Sequence, residues 1–260
     1  MKFHVNDNWW QDIFDEIYLL TDSRSVCNDE LTRQEVDFIE QTLKVKKNSP
    51  ILDLCGGQGR HSLELARRGY KNLTVFDYST CLIELGKKQA GNDKLKVNFI
   101  QGDARKTGLP DEQYEFVLVM ASSFGYFIDE NENKAILNEI YRLLKLGGHL
   151  LLDLTDRDFC IQNFKPESIH NVDEDIHVKR ERFLENDVIY SREIIQSRKK
   201  GTIRDSTYCI RLYSPDLITD LLLASGFTWI DCQRDFMNRK SFGDLGCMTN
   251  RMVVTGCKRC

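Results

Sequence analysis

The 260-residue chain contains no long apolar run and no excess of positive charge. A membrane-spanning helix needs about 18 or more consecutive apolar residues, and no stretch approaches that length. The first ten residues, MKFHVNDNWW, lack the apolar centre of a secretory signal. The net charge of −4 argues against strong, sequence-independent binding to nucleic acid. We therefore expect a soluble, cytoplasmic protein with no membrane contact, and the charge disfavours a nucleic-acid partner without excluding one.

The nine cysteines are odd in number and scattered along the chain. Most lie within apolar strings, where a reduced thiol behaves as a small hydrophobic side chain. The single CxxC pair, Cys257 and Cys260, has no second pair to complete a tetrahedral zinc site. We therefore expect reduced thiols and no metal site.

Strand and helix patterns alternate through the central part of the chain. Strands are expected at residues 51–54, 73–77, 96–100, 114–121 and 149–154, and helices at 60–69, 79–90 and 131–145. Such alternation requires crossover connections and predicts a parallel sheet that is covered on both faces. After a helix at 215–224, the strands 227–235 and 251–257 have no helix between them. They should therefore pair antiparallel at a sheet edge.

Two segments lie outside this alternation. Residues 8–20 place aromatic and aliphatic side chains at helical spacing, which predicts an amphipathic helix with an aromatic face. A second helix is expected from Asp29 to about Val45. Residues 176–213 form three alternating, charge-rich strings separated by turn signals. This pattern predicts a three-stranded antiparallel meander beside the mouth of the main sheet.

The most informative stretch is ILDLCGGQG at residues 51–59, a short buried strand followed by a turn with three glycines. Glycine lets a ligand approach the backbone, and the helix that follows offers free N–H groups and the positive end of its dipole. Asp77 ends the next strand, 20 residues after Gly57, where an acid reaches ribose hydroxyls. An NAD-binding domain and an adenosine-binding fold without a pyrophosphate both fit these features. The alternative role for Asp77 is a helix N-cap, which Ser79 could fill equally well.

Two later strand ends carry further candidates. Asp103, after the string FIQG, could accept a hydrogen bond from the exocyclic amine of adenine, and the Ala104 N–H could reach a ring nitrogen. An Asx-type turn is the alternative for Asp103. The string MASSFGY at residues 120–126 combines small hydroxyl residues with aromatics. That composition suits a pocket wall beside a sulfonium and its methyl group, although the aromatics could also be core residues.

Together these strings resemble the class I S-adenosylmethionine-dependent methyltransferases. ILDLCGGQGRHSLELARRGY, TVFDYS, FIQGDAR, LPDEQYEFVLVMASSFGYF and LNEIYRLLKLGGHLLLDL follow one another in that family's order and spacing. The closing edge hairpin resembles the family's reversed last strand. The family's acidic-x-Gly-x-Gly-x-Gly signature falls on Asp53, Cys55, Gly57 and Gly59, so Cys55 departs from glycine.

The resemblance implies an α/β fold with a Rossmann-like, doubly wound, mostly parallel sheet and an antiparallel terminal strand. It also implies S-adenosyl-L-methionine as cofactor, with Asp77 at the ribose and Met120 along the methionyl chain. The N-terminal aromatic helix resembles the family's lid, in which aromatics including Trp9 would shield the sulfonium; helix packing is the alternative. The implied cofactor-binding residues are Cys55, Gly56, Gly57, Gly59, Asp77, Tyr78, Asp103, Ala104, Met120, Trp10 and Tyr18.

The resemblance further implies one methyltransferase domain over residues 1–260. Its expected parts are an N-terminal helical lid at 1–47, a cofactor-binding core at 48–155, a small antiparallel β insertion at 160–213, and a C-terminal helix with an edge hairpin at 214–260. The insertion also offers a surface for a homodimer.

We expect methyl transfer by in-line displacement to N or O of a small-molecule acceptor. The insertion, the acidic net charge and the lid favour a small acceptor over a polynucleotide. An NAD-dependent oxidoreductase and a non-catalytic S-adenosylmethionine-binding protein are the alternatives. We interpret His61 as a residue of the pocket wall rather than as a general base. For the candidates in the insertion, the alternative is that they are simply exposed strand residues. The acceptor-site candidates are Tyr126, Tyr190, Arg211, Tyr213 and His61.

Overall fold

The computed structural model describes residues 2–234 and 249–259. A 3₁₀ turn at Trp9–Gln11 precedes the helices α1 Glu16–Thr21, α2 Ser23–Val26, α3 Asp29–Leu43, α4 Arg60–Arg67, α5 Thr80–Asn92, α6 Glu130–Leu143, α7 Arg157–Gln162 and α8 Pro215–Ala224. The strands of the main sheet are β1 Pro50–Leu54, β2 Asn72–Asp77, β3 Asn98–Gln101, β4 Tyr114–Val119, β5 Leu144–Thr155, β10 Phe227–Arg234 and β11 Arg251–Lys258. The second sheet contains β6 Glu167–Asn171, β7 Ile176–Glu185, β8 Val188–Ser197 and β9 Gly201–Arg211.

The main sheet confirms the predicted doubly wound α/β fold. Its strand order is β10-β11-β5-β4-β1-β2-β3. The strands β1 to β5 pair in parallel, and β11 runs antiparallel to both β5 and β10. The predicted antiparallel closing pair is therefore confirmed. Residues 235–248, which include the last residue of the predicted strand 227–235, lie outside the described residues, as does Cys260 of the CxxC pair.

Helices cover both faces of the main sheet, as the alternation predicts. On one face, Ile140 of α6 and Leu222 of α8 are fully buried against the strands. On the other face, Ile39 of α3 and Leu65 of α4 are fully buried as well. Among the described residues, no helix is long and apolar enough to cross a membrane. The burial of aliphatic side chains on both faces fixes the strand ends on which the site is built.

The single N-terminal helix predicted at 8–20 is wrong. The 3₁₀ turn ends at Gln11, and α1 begins only at Glu16. Asp15 lies between them in an extended conformation, and its carboxylate accepts hydrogen bonds from the N–H groups of Ile17 and Tyr18. An acidic N-cap of this kind starts a new helix, so the aromatic periodicity continues across a break in the backbone.

The insertion forms four antiparallel strands, where the sequence pattern predicted three. The additional strand β6 pairs with β7 at the edge of the sheet, in the order β6-β7-β8-β9. Its sequence, ESIHN, has one large aliphatic side chain, Ile169, and that side chain is exposed. Strand β6 is therefore held by backbone pairing and carries none of the apolar alternation by which strands are recognised.

A buried charge cluster joins the insertion to the N-terminal segment. Glu193 of β8 is 3% exposed and accepts hydrogen bonds from Arg180 Nε at 2.7 Å and Arg204 Nη2 at 3.2 Å. Arg180 also donates to both oxygens of Asp22, and Arg204 donates to Asp15 at 2.8 Å. Glu193 therefore holds two guanidinium groups that bind the N-terminal segment from the insertion.

We predict that Glu193→Gln lowers the free energy of unfolding by about 3 kcal/mol, because it leaves two buried guanidinium groups without their shared carboxylate. Chemical denaturation followed by circular dichroism measures the change. Glu167→Gln is the control, since Glu167 pairs with Lys179 at the exposed strand β6, where ion pairs contribute little. Equal unfolding midpoints for the two variants would contradict the role of Glu193.

Candidate functional site

A cavity opens where β1, β2, β3 and β4 end. The strand order reverses between β1 and β4, and open α/β sheets bind ligands at such a point. Part of the N-terminal chain, residues 9–26, lies over the cavity and is called the lid segment below. Twelve sequence-predicted residues line the cavity: Trp10, Tyr18, Cys55, Gly56, Gly57, His61, Asp77, Tyr78, Asp103, Ala104, Met120 and Tyr126.

The turn after β1 forms the floor of the cavity. The Gly57 N–H donates a hydrogen bond of 2.8 Å to Asp77 Oδ2, which ties the ends of β1 and β2 together. A Cβ atom at Gly56 would lie 2.8 Å from Asp53 Cγ, so the turn has no room for a side chain there. Gly59, with a φ of +74°, is the N-cap residue of α4 and does not line the cavity. The glycines thus leave the backbone accessible from the cavity side.

Cys55 occupies a backbone conformation that favours glycine. Its φ is +57°, in the left-handed region, which costs an L-residue roughly 1–2 kcal/mol. Burial raises the pKa of its thiol well above the usual value, and the charges of Asp77, Asp103 and Asp53 raise it further. Cys55 is therefore a neutral, strained wall residue at neutral pH.

Asp53 brings a buried carboxylate to the same floor. Its Oδ2 accepts a hydrogen bond of 2.9 Å from Ser62 Oγ on α4. Within the described residues, its Oδ1 has no hydrogen-bond partner, although the side chain is fully buried. Burial raises the pKa of Asp53. A buried acceptor with a free oxygen at a cavity wall is suited to a hydrogen-bond donor on a ligand.

Asp77 presents its carboxylate at the end of β2. Oδ2 accepts from the Gly57 N–H, and Oδ1 accepts from the Ser79 N–H at 2.8 Å. Ser79 Oγ itself caps α5 through the Leu82 N–H, so Asp77 is not needed as the N-cap. Burial raises the pKa of Asp77 to about 6, although the backbone hydrogen bonds oppose that shift. Each oxygen keeps further lone pairs for ligand hydroxyls.

Asp103 is held by a residue that the sequence interpretation missed. Arg105 donates to both oxygens of Asp103, from Nε at 3.0 and 3.1 Å and from Nη2 at 2.5 Å. Partial burial raises the pKa of Asp103, but the hydrogen bonds from Arg105 outweigh it and lower the pKa overall. The available signal in the sequence was an arginine two residues after an acid. The geometry of the turn brings these two side chains together as a bidentate pair.

The loop after β4 forms another wall and is strained. Ala121 and Ser122 have φ values of +59° and +58°, two consecutive left-handed residues. Asp153 of β5 stabilises them, because its Oδ2 accepts from the Ala121 N–H at 2.9 Å and its carbonyl accepts from the Ser122 N–H. Asp153 is itself paired with Arg251 of β11 at 2.8 Å in a fully buried position. The antiparallel last strand therefore supports the loop that carries Met120 and Tyr126.

The lid segment covers the cavity with aromatic rings. Trp10 meets Tyr78 edge-on with ring centroids 4.6 Å apart, and Phe14 stacks on Tyr126 at 5.6 Å. Burial raises the pKa of both Tyr18 and Tyr126, so both phenols stay neutral at physiological pH. Trp9 does not line the cavity; it packs behind Tyr126 at 5.1 Å. The expectation that Trp9 faces the ligand is therefore not met.

A second residue that the sequence interpretation missed is Glu35, which contacts the start of α4. Glu35 of α3 is fully buried and accepts from Arg60, and His61 Nε2 lies 2.9 Å from Glu35 Oε2. Arg60 and His61 both line the cavity. Because Glu35 holds the imidazole, His61 is oriented as part of the wall. Glu35 lies 26 residues from His61 in the sequence, and no local pattern links them.

Three acceptor-site candidates lie away from the cavity. Tyr213 is 2% exposed in the core, Tyr190 stacks on Phe183 at 4.6 Å, and Arg211 Nη2 donates to the Ile128 carbonyl. The end of β9 contacts the loop after β4, where the Arg211 N–H donates to the Gly125 carbonyl at 2.7 Å. The cavity thus brings together Tyr126 and His61, and it leaves Tyr190, Arg211 and Tyr213 outside.

Comparison with known proteins matches residues 51–148 to the family model described as a methyltransferase domain. A Bacillus subtilis (strain 168) protein named as a methyltransferase, YqeM, is 27% identical over 78% of this chain and 82% of its own length. The crystal structure of an S-adenosylmethionine-dependent methyltransferase from Clostridium acetobutylicum ATCC 824 superposes with a TM-score of 0.76. The two sequences are 18% identical, and the alignment covers 94% of this chain and 97% of the Clostridium chain.

Residues 51–148 are matched as a methyltransferase domain, and this match, the relatives and the similar structures together support a class I S-adenosylmethionine-dependent methyltransferase. S-adenosylmethionine is therefore its cofactor, which rules against the NAD-dependent alternative. A glycine/sarcosine N-methyltransferase of Aphanothece halophytica is 27% identical, with half of each chain covered. The sugar N-methyltransferase KedS8 of Streptoalloteichus sp ATCC 53650 has a TM-score of 0.67 and 18% identity, with 100% of this chain and 99% of its own covered.

We predict that Cys55→Gly makes the methyltransferase more stable than Cys55→Ala by about 1 kcal/mol, since both lose the thiol but only glycine relieves the left-handed strain. Chemical denaturation of the two variants measures the difference. At Cys81, in the first turn of α5, the order should reverse, because alanine favours a helix. Equal stability of the two Cys55 variants would contradict the strain.

The pKa of Asp77 predicts a pH dependence of folding. A pKa of about 6 exceeds the ordinary value of 3.8, so the folded state holds this proton more tightly. The resulting stabilisation is present below pH 3.8 and is lost as the pH rises through 6. The free energy of unfolding of the wild-type methyltransferase, relative to Asp77→Asn, should therefore fall between pH 4 and 7.

Asp93 is the control for this measurement, because hydrogen bonds from Arg67 and Gln89 lower its pKa. The stability of the wild type relative to Asp93→Asn should therefore stay nearly constant from pH 4 to 7 and fall only below pH 3.8. A wild-type difference from Asp77→Asn that stays constant from pH 4 to 7 would show that Asp77 titrates normally.

Proposed function

We propose that the methyltransferase binds S-adenosylmethionine in this cavity and transfers the methyl group to N or O of a small-molecule acceptor. The closed aromatic lid carries the proposal. Trp10, Phe14 and Tyr18 cover the ligand side of the sheet, and Tyr126 faces them from the opposite wall. A space closed in this way suits a small acceptor better than a folded macromolecule.

The cavity matches the cofactor's groups. The Asp77 oxygens suit the ribose hydroxyls, and the unpartnered Asp53 Oδ1 suits the ammonium group, as a buried acceptor on the same floor. Asp103 and the backbone of Ala104 suit the adenine edge. We propose the following cofactor-binding residues: Cys55, Gly56, Gly57, Gly59, Asp77, Tyr78, Asp103, Ala104, Met120, Trp10 and Tyr18. Gly59 acts there by shaping the turn.

S-adenosylmethionine supplies an electrophilic methyl group on a sulfonium, and the chain has to orient the nucleophile and exclude water. The aromatic faces of Trp10, Phe14 and Tyr126 attract a cation and keep water out. The neutral Tyr126 phenol can hold a nucleophilic nitrogen or oxygen by a hydrogen bond. His61, held by Glu35, forms the wall near the glycine turn.

The names of similar proteins support an N-acceptor of modest size. KedS8 is a sugar N-methyltransferase, and the relative from Aphanothece halophytica is a glycine/sarcosine N-methyltransferase. We also propose a single domain over residues 1–260 with the four parts given above, and a homodimer through the insertion. The exposed Ile169 on the edge strand β6 supports the dimer, which sedimentation equilibrium would test.

Transfer of a labelled methyl group tests the acceptor class. The protein would be incubated with methyl-tritiated S-adenosylmethionine and fractions of a cell extract separated by size. We expect label in small-molecule amines or hydroxyl compounds. Label that appears only in protein or nucleic acid would contradict a small acceptor, and NADH binding without affinity for S-adenosylhomocysteine would contradict the cofactor.

We predict that Asp77→Ala weakens the binding of S-adenosylhomocysteine by roughly 1.5–3 kcal/mol, because hydrogen bonds to a charged group are lost. Isothermal titration calorimetry at pH 8, where Asp77 is ionised, measures the change. Asp93→Ala removes an exposed carboxylate at the end of α5 and should leave the affinity unchanged. An unchanged affinity for Asp77→Ala would show that the ribose lies elsewhere.

A further inference from the structure

Arg105 lies where three walls of the cavity meet the lid segment. Its guanidinium binds Asp103, in the loop after β3, and also Glu132 of α6, at 2.6 Å. The same group lies 5.0 Å from the ring centroid of Trp10 and 4.8 Å from that of Phe127. Arg105 therefore contacts the lid segment, the loop after β4, the loop after β3 and α6 at once.

Arg105 stands behind the cavity wall rather than in it. Asp103, Trp10 and Phe127 line the cavity, whereas Arg105 is not among the lining residues. Its bidentate grip fixes the plane of the Asp103 carboxylate, because a planar fork allows little rotation. A group that binds Asp103 from the cavity side thus meets a carboxylate whose other face is held by Arg105.

The bidentate pair between Arg105 and Asp103 also affects Trp10, because Arg105 contacts the Trp10 ring. Trp10 is 7% exposed, and its ring meets Tyr78 and Phe127 edge-on. Arg105 places a cation near the face of this ring, and the attraction depends on where the guanidinium lies and how it is oriented. Because Asp103 and Glu132 set that orientation, the placement of Trp10 depends on the Asp103 pair.

We propose that Arg105 is a positioning residue that couples ligand binding at Asp103 to the placement of Trp10 over the cavity. The inference rests on the cofactor site proposed above. Such coupling is reciprocal: a ligand that engages Asp103 favours the closed lid segment, and a closed lid segment slows the release of that ligand. Arg105 acts on the lid segment through Trp10, so most of the effect of its removal on ligand release should depend on Trp10.

The test measures the dissociation rate of S-adenosylhomocysteine by stopped-flow competition. Arg105→Met keeps an apolar stem and removes the fork. We expect it to raise the dissociation rate about five-fold, the factor that corresponds to roughly 1 kcal/mol. In a Trp10→Leu background the same substitution should raise the rate less than about two-fold, because the coupling partner is already gone.

Arg142→Met is the matched control. Arg142 also makes a bidentate pair with a carboxylate, Glu139, at 2.9 and 2.7 Å, and a second pair with Asp111. Its side chain is 33% exposed, against 28% for Arg105, and it does not line the cavity. The control substitution should leave the dissociation rate unchanged.

Two outcomes would overturn the inference. One is an equal rate increase for Arg105→Met with and without Trp10, and the other is a rate no different from that of Arg142→Met. Should Arg105→Met fail to fold, Arg105→Lys keeps the charge, loses the fork and should still raise the rate when Trp10 is present. If the wild-type protein itself does not bind S-adenosylhomocysteine, the proposed function fails instead.

Discussion

The hydrogen bond from the Gly57 N–H to Asp77 Oδ2 is the contact on which the site depends. It joins the ends of two neighbouring parallel strands and fixes the glycine turn against the one carboxylate that faces the ribose in our proposal. In that proposal the two Asp77 oxygens serve both the turn and the ribose, and the half-buried side chain is already partly desolvated without a ligand. Its raised pKa is the electrostatic cost of that arrangement.

The opposite wall is built by a different kind of constraint. Two left-handed residues, Ala121 and Ser122, are held by Asp153, and Asp153 is held by the buried Arg251. Strain of this kind persists only where its surroundings determine it. The reversed last strand thus does more than close the sheet edge, because it places a buried cation behind the loop that carries Tyr126.

The regular part of the fold could be predicted from the sequence because it follows periodicity and punctuation. The strands before Cys55 and Asp77 are short apolar strings that end in polar or glycine residues, so both their position and their function as strand ends were recognisable. The break at Asp15 and the strand at 167–171 were not, because one depends on a side-chain cap and the other on pairing with β7.

The residues of the cavity also divide into those that local sequence patterns predict and those that they do not. Backbone-defined positions such as Gly56 and Asp77 were found from local motifs, whereas Glu35 and Arg105 act through side chains brought together by the tertiary fold. The three acceptor candidates from the insertion and its exit, Tyr190, Arg211 and Tyr213, lie outside the cavity for a related reason. The contact of β9 with the loop after β4 is a backbone hydrogen bond, from the Arg211 N–H to a loop carbonyl, and no local sequence pattern signals such a pairing.

The lid segment is held from two directions, and this limits how an acceptor can enter. On the insertion side, Arg180 and Arg204 bind acidic residues of the segment directly, and Glu193 holds both arginines. On the core side, Arg105 contacts the Trp10 ring. The charged insertion contacts lie at Asp15 and Asp22, which flank α1, and Trp9 of the 3₁₀ turn also packs on Tyr208 of β9 with ring centroids 5.8 Å apart. Movement at Trp10 alone would open the cavity on the side of Asp103 while the buried charge cluster stays intact. Displacement of the whole segment would require breaking both that cluster and the packing of Trp9 on Tyr208 and Tyr126, so movement of the Trp10 side chain is the less costly route.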